Sequence, residues 1–152
     1  RKELKNLKED LNKMIIDYFN KIVSSSNLIT PYITQSWINY TGPHKYHRRH
    51  SHPNSYISGV FYISADPKVD KIKFYKRDYE RIEVECKKFN QFNAASWYFQ
   101  IKTGDVLLFP SSLEHAVEIK KGTNLRISLS FNIFLKGHIG ATNKLTRLML
   151  HE

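Results

Sequence analysis

Between residues 3 and 23 the apolar side chains recur every three or four positions: Leu4, Leu7, Leu11, Met14, Ile15, Tyr18, Phe19 and Ile22. That spacing paints one apolar stripe along a helix, and the stripe predicts a helix laid on a core. Its charges are of both signs, which disfavours a membrane-surface helix with a strongly basic polar face. The run Ser24-Ser25-Ser26-Asn27 ends it. Beyond it the period shortens to two, and strands are expected at 32–40, 56–64, 71–75, 81–85, 97–101, 106–109, 115–119 and 125–134. TGPH, HPNS, ADPK, KTGD and KKGTN separate them, each carrying Gly, Pro, Asn or Asp where a chain must reverse. Many short strands with such turns argue for an antiparallel sandwich or barrel. No helix alternates with them, so a parallel α/β sheet is disfavoured. Without repeats or linkers, 1–152 is expected to be a single domain. Its parts are a packing helix at 1–23, a β core at 32–134 and a tail at 135–152 that is either a short helix or loose.

Composition narrows the class. The chain has 152 residues, 41% of them hydrophobic, with nine Tyr, nine Phe and two Trp, enough to bury a core. The single cysteine, Cys86, excludes an intrachain disulfide and a CxxC metal knuckle, and suits a reducing cytoplasm. No apolar run reaches the roughly 18 residues that cross a bilayer, and no signal-peptide pattern opens the chain. It begins at Arg1 rather than Met, so a preceding segment is expected. The net charge of +10 favours anionic partners, nucleic acid among them, or a merely solubilising surface. The bases are scattered, and 68–88 mixes both signs, so the surface reading carries more weight.

Two places carry candidate chemistry. In LRISLSFNIF, Arg126, Ser128, Ser130 and Asn132 share one strand face, while Ile127, Leu129, Phe131 and Ile133 share the other. Arg126 beside Ser128 offers a guanidinium fork and a hydroxyl to a carboxylate. An exposed polar strand face explains the same residues about as well. In HRRHSHPNSYISGVFYIS, His50 and His52 stand two apart at the mouth of a strand, and His115 opens another strand after FPSSLE. Three such histidines build one face on a metal and leave the opposite positions open. Singly, each is as readily a solvated or structural histidine. His44 and His47 fall in a turn and are not expected to be ligands.

RRHSHPNSYISGVFYIS, GDVLLFPSSLEHAVEI and LRISLSFN, in that order, resemble the Fe(II)/2-oxoglutarate-dependent oxygenase superfamily. The likeness is to its prolyl-hydroxylase-like branch and to the small 2-oxoglutarate oxygenases of bacteria and phages. It covers roughly residues 35–134. It implies a mainly β fold with an N-terminal helix, the double-stranded β-helix or jelly roll also seen in cupins. It further implies an oxidoreductase, a dioxygenase that hydroxylates a small-molecule or polymer substrate of unknown identity, using Fe(II), 2-oxoglutarate and O2. Carried over by position, His50 is the first iron ligand, His52 stands where the superfamily usually has a carboxylate, and His115 is the distal ligand. Arg126 and Ser128 then hold the cosubstrate's 5-carboxylate, with Tyr62 and Tyr40 lining the same pocket. His52 is the departure, because an imidazole supplies a ligand atom without the charge. Two other readings stand beside this one. They are a cupin-like metal dioxygenase that does not use 2-oxoglutarate, and a non-catalytic basic β-module that binds nucleic acid or protein.

Overall fold

The computed structural model describes residues 2–76 and 85–151. The strand expected at 81–85 lies, Glu85 apart, outside the described residues. Helix α1 (Lys2–Tyr18) runs into a π turn at Phe19–Val23 and stops at Ser24, whose φ of 48° is left-handed. The Ser24 N–H closes that turn on the Phe19 carbonyl at 2.9 Å. Of the apolar stripe only Leu11, Ile15 and Phe19 are buried, while Leu4, Met14 and Ile22 face solvent. These three stand four apart, one ridge of the helix, and a helix crossing a twisted sheet touches it along one ridge.

The strands are β1 (Ile29–Thr41), β2 (His47–His50), β3 (Ile57–Ser64), β4 (Lys71–Tyr75), β5 (Ser96–Gln100), β6 (Val106–Pro110), β7 (His115–Val117), β8 (Arg126–Ile139) and β9 (Leu148–Leu150). All pair antiparallel. They form one sheet ordered β1-β8-β3-β6, with β9 also on β8, and a second ordered β2-β7-β4-β5. This is the jelly-roll arrangement the sequence points to. The tail differs from either expectation: β8 continues to Ile139, and β9 pairs with it through Gly137 to Ile139. Leu135 and Ile139 carry on the apolar face of β8. Gly137, at φ 111°, passes the Leu28 carbonyl where a Cβ would come within 2.4 Å.

Strand β8 divides the molecule. Ile133, Phe131 and Leu135 point outward to α1 and meet Leu11, Ile15, Phe19 and Ile57 in a dry core. Gly59 lies opposite Phe131, and a Cβ there would stand 2.1 Å from the Phe131 ring, so only glycine admits the phenyl group. Each fully buried side chain of this kind stabilises the fold by roughly 1.5–3 kcal/mol. The other face of β8 looks inward. There Val60, Tyr62 and Phe109 of one sheet pack with Ile72 of the other and with Ile101, closing one part of the space between the sheets.

Candidate functional site

Antiparallel register sets His50, the last residue of β2, directly opposite His115, the first of β7. Phe74 of β4 lies opposite His115 on the other side. Opposed residues project to the same face, so these rings share the inner face of the second sheet. His52 follows after a short turn, its main-chain N–H held by the Ser111 carbonyl at 3.0 Å. The result is a cluster in which one ligand atom from each of His50, His52 and His115 lies within 4.8 Å of the others. Arg49 and Glu114, which immediately precede His50 and His115, are bound to each other on the outer face at 2.5 and 3.1 Å, with the guanidinium 4.1 Å above the Tyr75 ring. The pair is half exposed and adds little stability. It does tie the two histidine-bearing strands at the point where those side chains emerge.

All three rings are turned the same way. Nδ1 of His50 lies 2.7 Å from the Arg48 carbonyl, Nδ1 of His115 3.1 Å from the Leu113 carbonyl, and Nδ1 of His52 2.7 Å from Asn132 Oδ1. A carbonyl can only accept, so each Nδ1 carries a proton, and in the neutral imidazole each Nε2 is then bare. His50 Nε2 and His52 Nε2 stand 3.2 Å apart. With both Nδ1 atoms protonated, two lone pairs face each other across that gap, which a cation between them would relieve. Burial against Phe74 and Phe109 pushes His115 down to about 4, against the pull of the Leu113 carbonyl, while His50, His52 and His47 also oppose its charging. It is therefore a neutral imidazole, the form that can coordinate.

Across the cavity, Arg126 is buried, at 3% exposure. Its Nη2 donates to Thr41 Oγ1 at 3.3 Å, and its Nε has no partner among the described residues. Burial lowers the guanidinium's pKa, opposed by Tyr62 and Asp70. A buried cation with an unmet N–H is costly unless an anion completes it. Arg126, Ser128, Tyr62 and the three histidines line one cavity of about 80 Å³, room for several waters or one small polar molecule. Tyr62 is 2% exposed, and burial holds its phenol far above the ordinary range, although Arg126 pulls it down. It is therefore a fixed O–H donor.

Tyr40 does not join them. Its side chain is 67% exposed and is absent from the cavity lining. The reason is register: Thr41, Asn39 and Trp37 lie opposite Arg126, Ser128 and Ser130 and share their inward face, whereas Tyr40 opposes the outward Ile127. Asn39 occupies the place expected of Tyr40 and donates to Ser130 Oγ at 2.9 Å. His47 also differs from expectation. It belongs to β2 rather than to a turn, lines the cavity and meets the Thr41 hydroxyl at 3.2 Å through Nε2. Burial, then Arg126 and His50, lower its pKa, and it stands outside the three-histidine cluster. Pairing the expected first and last strands by the alternation around Arg126 would have found Trp37, Asn39 and Thr41. The sequence carries no comparable signal for His47.

A sequence profile of the family described as "Putative 2OG-Fe(II) oxygenase" matches residues 35–132. No curated protein matches the chain. Among solved structures, an oxidoreductase of the 2OG-Fe(II) oxygenase family from Burkholderia pseudomallei is similar with a TM-score of 0.58 and 14% identity. The match covers 77% of this chain and 50% of that one, so the chain spans about half of that relative's length. At that identity the likeness speaks for the fold, and the profile match over most of the β core speaks for the family. The chain belongs to the 2OG-Fe(II) oxygenase family.

Proposed function

We propose that this chain is a non-haem Fe(II)- and 2-oxoglutarate-dependent dioxygenase that hydroxylates its substrate. The observation that carries this reading is one cavity with two complementary deficits: three bare imidazole nitrogens, and a buried Arg126 whose Nε lacks a partner. The donor set fits a divalent first-row metal, for which neutral imidazoles are ordinary ligands. Fe(II), when bound with 2-oxoglutarate and O2, supplies oxidative decarboxylation to succinate and CO2 and delivery of one oxygen atom to a C–H bond.

The chain's own residues do the rest. His50, His52 and His115, whose Nδ1 atoms face carbonyls, would hold the metal through Nε2. Arg126 binds the distal carboxylate of the cosubstrate through its unsatisfied Nε–H, and Ser128 and Tyr62 add O–H donors from the same wall. Phe74 and Phe109 exclude water from His115. Trp37, 38% exposed and 5.9 Å from the His52 ring, marks the side from which a small molecule or polymer would reach the site. On the surface, Arg49 and Lys73 are already paired with Glu114 and Glu118, which weakens the case for a nucleic-acid platform. A reducing cytoplasm would suit a ferrous site and a single cysteine.

The test is anaerobic loading with Fe(II) followed by 2-oxoglutarate and O2, with succinate as the readout. Succinate formation that disappears in Arg126→Ala and His115→Ala is expected. The three-imidazole set also suits a cupin-like dioxygenase that binds its substrate directly. Tight metal binding with no calorimetric response to 2-oxoglutarate would favour that second reading and sink the first.

A further inference from the structure

We infer that Asn132 is the positioning residue that makes His52 a metal ligand in place of the family's usual carboxylate, by choosing its tautomer. The inference rests on the metal reading above and adds a residue to it. His50 and His115 are oriented by main-chain carbonyls, which can only accept, so their Nδ1–H tautomers are built into the backbone. His52 has no such carbonyl. Its Nδ1 meets a side chain, Asn132 Oδ1, at 2.7 Å. His52 is therefore the one imidazole of the cluster whose orientation depends on a replaceable group.

Two arrangements compete at this position. With Asn132 Oδ1 toward the ring, Nδ1 is protonated and Nε2 faces the cluster bare. With the opposite tautomer, His52 Nε2–H would donate across 3.2 Å to the bare Nε2 of His50, and the two histidines would satisfy each other. That closed pair needs no metal and offers His50 no lone pair for one. Asn132 decides between them, because its carbonyl oxygen stabilises only the open form.

The surroundings hold Asn132 to the task. Its side chain comes from the inward face of β8, and its main-chain oxygen accepts from Thr34 Oγ1 at 3.2 Å, where β1 bulges. Ser58 Oγ is 3.5 Å from Asn132 Oδ1 but 2.8 Å from Ser111 Oγ, and Ser111 in turn donates to Ser55 at 2.8 Å. A hydroxyl has one proton, and the shorter contact takes it. His52 is left as the principal partner of Asn132 Oδ1. The same Ser111 holds the His52 main chain through its carbonyl, so ring and backbone are anchored together.

The experiment uses metal-free wild type, Asn132→Leu and Asn132→Asp, each read by long-range proton–nitrogen NMR of the His52 ring, by Co(II) titration and by thermal melting. Wild type should show His52 with Nδ1 protonated before any metal is added. Asn132→Leu should move His52 toward the Nε2–H tautomer and weaken Co(II) binding by about 10- to 100-fold, the usual cost of losing a histidine ligand's outer partner. Asn132→Asp can only accept from the ring, and should keep both the tautomer and the affinity. If Asn132→Leu does not fold, the wild-type tautomer and the Asn132→Asp affinity still decide. Wild-type His52 found as Nε2–H, or Co(II) affinity unchanged in Asn132→Leu, would overturn the inference while leaving a metal site in place. No Co(II) binding by wild type would remove the metal reading and this inference together.

Discussion

Lys120 and Arg126 are both buried cations, 4% and 3% exposed, and both border a cavity of about 260 Å³ that Asp70 and Val117 also line. They are treated in opposite ways. Lys120 Nζ lies 3.1 Å from Asp70 Oδ1 and 2.6 Å from Asn124 Oδ1. Asp70 also accepts from the Asp66 main chain and from Asn124 Nδ2, both at 2.9 Å. Gly122 makes room for this network, since a Cβ there would stand 2.7 Å from Asn124 Oδ1. Arg126 donates from Nη2 to the Thr41 hydroxyl at 3.3 Å, and its Nε has no partner among the described residues. A charge that the fold neutralises is architecture, whereas a charge it buries and leaves open costs stability unless an anion completes it, which the proposed cosubstrate would do.

The sharpest way to break this comparison is to delete each cation without changing much volume. Lys120→Met strands the Asp70 carboxylate in the interior and should cost about 3–5 kcal/mol in denaturant unfolding. Adding Asp70→Asn should restore most of it. The pair also has a pH signature. Burial alone would raise the Asp70 pKa, but the Asp66 N–H, the Asn124 amide and Lys120 together hold it below its ordinary 3.8. A lowered folded-state value means that the stability is fully present above about pH 4 and is lost as pH falls through the lower value. Wild type should therefore lose more stability below pH 4 than the Asp70→Asn/Lys120→Met double variant. Parallel acid titrations of the two would show that the pair is not what holds this region together.

Arg126→Met should behave the other way. Removing an unpaired buried cation leaves no opposite charge stranded, so stability should hold or rise. Affinity for 2-oxoglutarate should fall by about 30-fold or more, the factor that corresponds to the roughly 2–5 kcal/mol lost when one partner of a buried charge pair is truncated. Mn(II) binding should stay close to wild type. A stability loss as large as that of Lys120→Met would make Arg126 a structural charge and erase the distinction.

The two cations also mark how far the sequence could be read. The face of Arg126 was legible because it heads a strand whose alternation is clean, Arg-x-Ser-x-Ser-x-Asn against Ile-x-Leu-x-Phe-x-Ile, whereas its burial, which an exposed polar strand face would not have required, comes from the structure. Lys120 sits in KKGTN, read only as a turn, because its partner Asp70 is 50 positions away and nothing local announces it. The same distinction separates the site residues. His50, His52 and His115 could be picked from spacing and resemblance, and the structure brings them together. Tyr40 was misplaced by one position, since facing depends on the register of β1 against β8, which no local pattern shows. His47 was hidden because a strand of four residues, HRRH, is polar throughout and has no apolar alternation to reveal it. The strand at Leu148–Leu150 escaped for a related reason: it exists by pairing with an extended β8 and is too short to carry a period.

The smallest expected effect sharpens the comparison most, because it asks what the open charge of Arg126 is waiting for. Among the described residues, the cluster of His50, His52 and His115 includes no carboxylate. A divalent metal held there would keep its full charge, and Arg126 would add another in the same cavity. A dianion entering that cavity interacts favourably with both, so metal and 2-oxoglutarate should each tighten the other's binding by the same factor. Mn(II) affinity measured with and without 2-oxoglutarate should differ by about tenfold, roughly 1.4 kcal/mol. His52→Asp places a fixed negative charge beside the metal, so Mn(II) alone should bind more tightly and the coupling should shrink. Arg126→Met should abolish the coupling at the same cosubstrate concentration while leaving the metal-only affinity alone. Identical Mn(II) affinities in wild type with and without saturating 2-oxoglutarate would mean that the two positive centres act independently. The unpaired guanidinium would then have to be explained by some other anion.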